Sequence, residues 1–211
     1  MPIATQVALI LALWCVWIMP ATAAGYQVEV IIFAYAQPDA DGEKFSPDPG
    51  LPGSEGLAQL GNAEQGAGPA LATLSAASYR LNGVMGALRR GGKYRSLLHT
   101  SWLQPEGGRI RGVFLSAPAG SEQFQSEAER VMGSVRLRPT RFLHVDVDMA
   151  YFPGAVIPGK TGESSPAPAG HVRLQESRKI KFNEVHYFDH PLFGVLLQVS
   201  RAGGAADSVG E

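Results

Sequence analysis

Cysteine is almost absent from this sequence: its 211 residues hold one, Cys15. That residue lies inside an apolar stretch running from Val7 to Met19. Trp14 precedes it, where lipidation at a cleavage point would require a small residue, so Cys15 is expected to leave with a signal peptide. The remaining chain then has no disulfide, no thiol nucleophile and no thiolate metal ligand. Charge is missing as well, since the first 25 residues contain no Asp, Glu, Lys, Arg or His. The apolar run is shorter than the roughly 20 residues a transmembrane helix needs, and Ala21-Thr22-Ala23 is a small-x-small cleavage sequence. Residues 1–23 are read as a cleavable signal peptide, which leaves an exported chain with no membrane span.

Further absences narrow the function. The formal charge is −1, without the basic stripe of a nucleic-acid binder. So near-neutral a balance points to local patches rather than a global field. There is no Gly-x-Ser-x-Gly motif and no glycine-rich phosphate loop between a strand and a helix. The serines have no spaced histidine and carboxylate, and no cofactor is implied.

What is present reads as one domain over residues 24–201 and a flexible tail at 202–211. Tyr26 to Tyr35 alternates and then turns apolar on both faces, as a central strand does. Segments at about 37–69 and 153–170 are rich in Gly, Pro and Ala. Their few large apolar residues cannot offset the entropy of ordering, so both are read as low-complexity loops. Leu74, Ala77, Leu81, Val84 or Met85, and Leu88 form the buried stripe of a helix that Gly91-Gly92 ends. Tyr94–Leu103 and Arg109–Leu115 read as a hairpin, and Val135–Met149 as one strand bent at Pro139. Val172–Phe182 and Phe193–Ser200 complete the set. The expected fold is α+β, a curved, mostly antiparallel sheet of about six strands covered by one main helix.

Several residue groups carry possible chemistry. His144, Asp146 and Asp148 alternate onto one strand face, as metal ligands or as the wet side of that strand. Arg173, Lys179 and Lys181 form a modest basic stripe. Glu176 and Arg178 fall on the opposite, apolar face, where they are expected to be paired, with each other or with the neighbouring strand, or reached by solvent, unless a bulge near Ser177 turns them out. Trp102 is either packing or a ring for stacking on a sugar. The segment Glu184 to Gly194, EVHYFDHPLFG, offers His186, Asp189 and His190 as a metal set. Pro191 pushes His190 out of helical geometry, and Tyr187 stands where the helical zinc signature needs Glu. The alternative is a structural corner. There Asp189 caps amides, Pro191 fixes φ, Gly194 admits close backbone approach, and Tyr187, Phe188 and Phe193 wedge into the core.

Taken together, YQVEVIIF after the leader, a long variable loop, YRSLLHTSWLQP, RFLHVDVDMAYF and LQESRKIKFNEVHYFDHPLFGVLLQV resemble the CsiV family of periplasmic proteins. The likeness covers nearly all of the mature chain, and HYFDHPLFG with the preceding SRKI is its most specific part. It implies a periplasmic, non-enzymatic peptidoglycan-binding protein. It further implies a part in cell-wall synthesis and cell shape, acting with an outer-membrane lipoprotein activator of a class A penicillin-binding protein. The family brings no established site residues. Trp102, Arg173, Arg178, Lys179 and Lys181 are the expected wall contacts. Two alternatives stand beside this reading: a metal-dependent wall hydrolase, and a protein–protein adaptor without glycan affinity.

Overall fold

The computed structural model describes residues 25–38, 45–46, 49–60, 70–107, 110–117, 129–153, 157–158, 164–165 and 170–202. The expected signal peptide and all but the first residue of the expected tail lie outside these. The alternating segment after the leader is β1 (Gly25–Tyr35). Its Val28, Val30 and Ile32 point into the main core, while Ile31 and Phe33 point the other way into a second cluster. Burial on both faces makes β1 the centre of its sheet. It pairs antiparallel with β12 (Phe193–Arg201) on one side and β4 (Tyr94–Pro105) on the other. β11 (Val185–His190) adds outside β12.

A second sheet of six strands follows the order β10 (Val172–Ile180), β7 (Leu143–Phe152), β6 (Arg130–Pro139), β5 (Gly112–Ala117), β2 (Ala58–Leu60), β3 (Ala70–Leu71). Only β2 pairs in parallel, with β3 and with β5. The inward faces of the two sheets share one core, from Val28, Val195 and Leu197 to Val113, Val135, Val147 and Leu174. The α+β class holds, with one α-helix among the described residues, and the strands divide between two main sheets rather than one. A two-residue ladder, β8 (Ile157–Pro158) with β9 (Ser164–Ser165), stands apart from both.

Three expectations are corrected. Val135–Met149 is not one bent strand but the arms of a hairpin, β6 and β7, in register from Arg130↔Phe152 to Pro139↔Leu143. Pro139 removes an N–H and Thr140 closes a turn by donating to the Phe142 carbonyl at 3.0 Å, so the chain reverses there. Tyr94–Leu103 and Arg109–Leu115 do not form a hairpin either, because β4 and β5 belong to different sheets and the Pro105 connection crosses between them. Part of the segment read as a loop supplies β2, whose Ala58 is buried beside Leu57.

The helix is also shorter than its apolar stripe suggested. A 3-10 turn (Ala76–Ser78) leads through extended Tyr79 to α1 (Asn82–Arg90), which ends at Gly91 before Gly92 at φ 62°. Leu81 and Met85 pack with Ile31 and Phe33 on the outer face of the four-stranded sheet. Leu81, at the N-cap, has no side-chain cap of its own. Instead Glu29, on the middle of β1 and 1% exposed, reaches up from the sheet. Its carboxylate accepts the N–H of Arg80 at 2.7 Å and of Leu81 at 2.9 Å, and His99 Nε2 lies 2.7 Å away. The buried charge is thus matched by donors and by the positive end of a helix. Glu29→Ala is expected to destabilise the domain by about 3 kcal/mol, with Glu29→Gln intermediate; urea unfolding of the variants measures this.

Candidate functional site

β10 follows strict alternation against β7 from Val172↔Tyr151 to Ile180↔Leu143, without a bulge. Glu176 and Arg178 therefore stay on the core side and pair with each other, Arg178 Nε to Glu176 Oε1 at 2.9 Å. Arg178 Nη1 also donates to the Tyr187 carbonyl at 2.9 Å, and its guanidinium lies over the Phe188 ring. On the outer face Arg173 is held by Asp148 through two bonds of 2.7 and 2.8 Å and by the Pro49 carbonyl at 2.9 Å. Lys181 pairs with Glu184 at 3.1 Å on an exposed turn. Trp102 is 0% exposed and its indole N–H is 3.2 Å from Gln104 Oε1. Its packing role is the one its position has, and no ring face is open to a sugar.

Of the expected cationic contacts only Lys179 has no carboxylate partner among the described residues, and it belongs to a group that strand alternation alone does not bring together. Register places Arg138 beside His144, and His144 beside Lys179, in one row across three strands. At the turn that ends this row, Phe142 is 45% exposed. Lys179 Nζ stands 3.3 Å from the Phe142 ring centroid and the Arg141 guanidinium 5.5 Å from it. Arg138 is bonded to Asp146 at 2.6 and 2.7 Å and to Ser177 at 2.8 Å. That contact holds the Asp146 carboxyl below the usual carboxylate range. The row His144, Asp146, Asp148 does share a face, but both carboxylates are taken by arginines and none is left to hold a metal.

Beside the turn, at the end of the sandwich, opens a cleft of about 400 Å³. Tyr26, Pro105, Ile110 and Leu137 supply apolar walls, and Arg111, Arg138 and Thr140 supply donors. Arg111 arrives there because its carbonyl accepts the Leu137 N–H at 3.0 Å, which locks the start of β5 to the end of β6. Among the described residues no carboxylate pairs with Arg111, Arg141 or Lys179. The sequence signal for this site was the run Arg136-Leu-Arg138-Pro-Thr-Arg141-Phe142. Reading it as the middle of one strand concealed that it forms a cationic turn.

EVHYFDHPLFG is a hairpin with Pro191-Leu192 at its tip, since His190 pairs with Phe193 and Asp189 with Gly194. Alternation sends Phe188 inward with the His186 and His190 side, and Asp189 outward with Tyr187. The proposed ligands are thereby separated. His186 Nε2 accepts the Lys181 N–H at 3.2 Å, and His190 Nδ1 accepts the Leu192 N–H at 3.2 Å. Among the described residues no three His, Cys, Asp or Glu side chains are grouped to hold a metal ion. The corner reading is corrected in detail. Among the described residues Asp189 caps no amides; it accepts the hydroxyls of Tyr35 at 2.7 Å and Tyr187 at 2.5 Å. Phe188 and Phe193 are core, but Tyr187 is 39% exposed and stacks on Phe33. Gly194 admits these rings rather than backbone: a Cβ there would lie 2.5 Å from Phe33 and 2.8 Å from Tyr187. Burial, reinforced by Asp189, pushes the Tyr187 hydroxyl up, and burial takes Tyr35 to about 12.

The described residues carry 15 Lys and Arg against 9 Asp and Glu, whereas the whole chain has 18 and 19. A near-neutral total therefore conceals a basic folded surface, and three of its cations without a carboxylate partner among the described residues, Arg111, Arg141 and Lys179, lie at or near the cleft and its adjoining turn. Chemically, such an arrangement can hold an anionic group. The chain belongs to the CsiV family of peptidoglycan-binding proteins, whose family model matches residues 6–202. No curated protein and no solved structure matched it. Among the described residues no helix is long and apolar enough to cross a membrane.

The hairpin tip also sets a pH response. Burial between Phe45 and Phe193 depresses His190 from 6.5 to about 4. A histidine lowered on folding favours the folded state above its unfolded pKa, and that contribution is lost as pH falls toward the folded value. Stability is expected to drop by about 2 kcal/mol between pH 6.5 and 4. His190→Asn should flatten that segment of the profile, measured by urea midpoints across the range.

Proposed function

We propose that this chain is a non-enzymatic, periplasmic peptidoglycan-binding accessory protein. It would support wall synthesis and cell shape through an outer-membrane lipoprotein activator of a class A penicillin-binding protein. The observation that carries the reading is the family match over residues 6–202, nearly the whole chain. The apolar leader supports export, and a cationic turn beside an amphipathic cleft suits a polymer that bears both apolar and carboxylate groups. The hydrolase alternative loses support from geometry, because His186 and His190 lie on the face of β11 opposite Asp189.

The expected contact set changes accordingly. Lys179 stays, and Arg141 and Arg111 join it. Arg173 and Arg178 hold structural pairs, and Lys181 is spent on Glu184. Purified mature protein is expected to sediment with isolated sacculi and to release as salt rises, because exposed charges are screened over about 8 Å at physiological ionic strength. Arg141→Gln with Lys179→Gln should weaken retention about tenfold. Protein that stays wholly soluble beside a positive control would remove the wall-binding reading.

A further inference from the structure

Peptidoglycan offers a protein two chemistries. Its N-acetylated sugars are neutral and rich in hydroxyls, with the lactyl carboxyl tied up as an amide; the charges sit on the peptide stem. Resting on the wall-binding reading above, we propose that the β6–β7 end recognises the carboxylates of the peptide stem and not the glycan.

Three observations separate the two. A sugar site needs acceptors for hydroxyl groups, and this surface has few to spare. Asp146, the carboxylate at its centre, already accepts two bonds from Arg138, whose guanidinium also donates to Ser177. Glu106, at the cleft margin, accepts the Tyr26 hydroxyl at 2.8 Å. Donors, by contrast, are in excess, with Arg111, Arg141 and Lys179 unpaired among the described residues.

A sugar site also needs an open aromatic face. Trp102 is buried, and the one exposed ring at this end, Phe142, carries the Lys179 ammonium 3.3 Å from its centroid. That contact leaves the cation desolvated on one side and poised for an anion, at the cost of the stacking surface.

Dimensions agree as well. Strands lie about 4.8 Å apart, so the row Arg138, His144, Lys179 spans roughly 10 Å. An extended peptide advances about 3.4 Å per residue, so carboxylates three residues apart match the full row and those two apart fall within it. Short aliphatic side chains between them fit the walls that Tyr26, Pro105, Ile110 and Leu137 give the cleft.

The test uses the mature protein bound to sacculi and four competitors. These are the free tetrapeptide L-Ala-γ-D-Glu-diaminopimelyl-D-Ala, its carboxamide form, the neutral tetramer of N-acetylglucosamine, and phosphatidylglycerol vesicles. The tetrapeptide is expected to release the protein, and the carboxamide to bind at least about tenfold more weakly. Arg111→Gln/Arg141→Gln/Lys179→Gln should lose the tetrapeptide response with a urea midpoint close to that of the unaltered protein, since none of the three holds a carboxylate among the described residues and the ring under Lys179 and Arg141 is itself exposed. Release by the sugar tetramer instead, equal binding of acid and carboxamide, or capture by vesicles alone overturns the proposal. If sacculus binding persists while the tetrapeptide does nothing, only this inference fails. If the protein never sediments with sacculi, the wall-binding reading fails with it.

Discussion

Strand β1 is packed on both faces and paired on both edges, and the rest of the fold is arranged around that constraint. Its inward side chains close the sandwich against the six-stranded sheet. Its outward side chains need a cover, and α1 supplies it. Glu29 fixes where that cover begins, because a buried carboxylate in a strand must find donors and the amides of Arg80 and Leu81 are the ones it finds. The same carboxylate brings in His99 from β4, so one residue ties helix, central strand and edge strand together. Phe188 and Phe193 then seal the far side of the sandwich, each fully buried and each contributing about 2 kcal/mol through the hydrophobic effect.

Covering one sheet has a consequence for the other. With the helix on the four-stranded sheet, the outer face of the six-stranded sheet has no helix over it among the described residues, and its charges must be satisfied in the plane. Arg138 with Asp146 and Arg173 with Asp148 meet that need across neighbouring strands. Beyond them the carboxylates run out. The cations past the last ion pair, at the Thr140–Phe142 turn and the mouth of the cleft, have no acid to meet among the described residues. Free charge at that end is thus a remainder of how the sheet neutralises itself. A remainder placed beside an apolar cleft is a usable binding surface.

Much of this was legible in the sequence, and the failures have physical causes. Double-sided burial was written into Val30 to Phe33, and the helix stop into Gly91-Gly92. Pairing of Glu176 with Arg178 followed from their place on an apolar face. The burial of Glu29 was not legible, because alternation normally marks a wet position and nothing local reveals that a segment some 50 residues later returns to cover it. Val135–Met149 misled because a tight turn between two strands of matching phase leaves the inward set Val135, Leu137, Leu143 and Val145 looking continuous. The division into two sheets depends on which long-range partner β4 and β5 choose, and period-two patterns are silent on partners. EVHYFDHPLFG gathered histidines and an aspartate within a few residues, yet the alternation of a strand sends them to opposite faces.

Two exposed aromatic side chains mark the two faces that compete for a role, Phe142 at 45% on the cationic turn and Tyr187 at 39% beside Asp189. Hydroxyl-radical footprinting of the mature protein, free and bound to sacculi, reads both at once. Binding through the β6–β7 end predicts strong protection of Phe142 with Tyr187 oxidised as in the free protein. Protection of Tyr187 with Phe142 unchanged would contradict the account and move the wall contact to the opposite sheet.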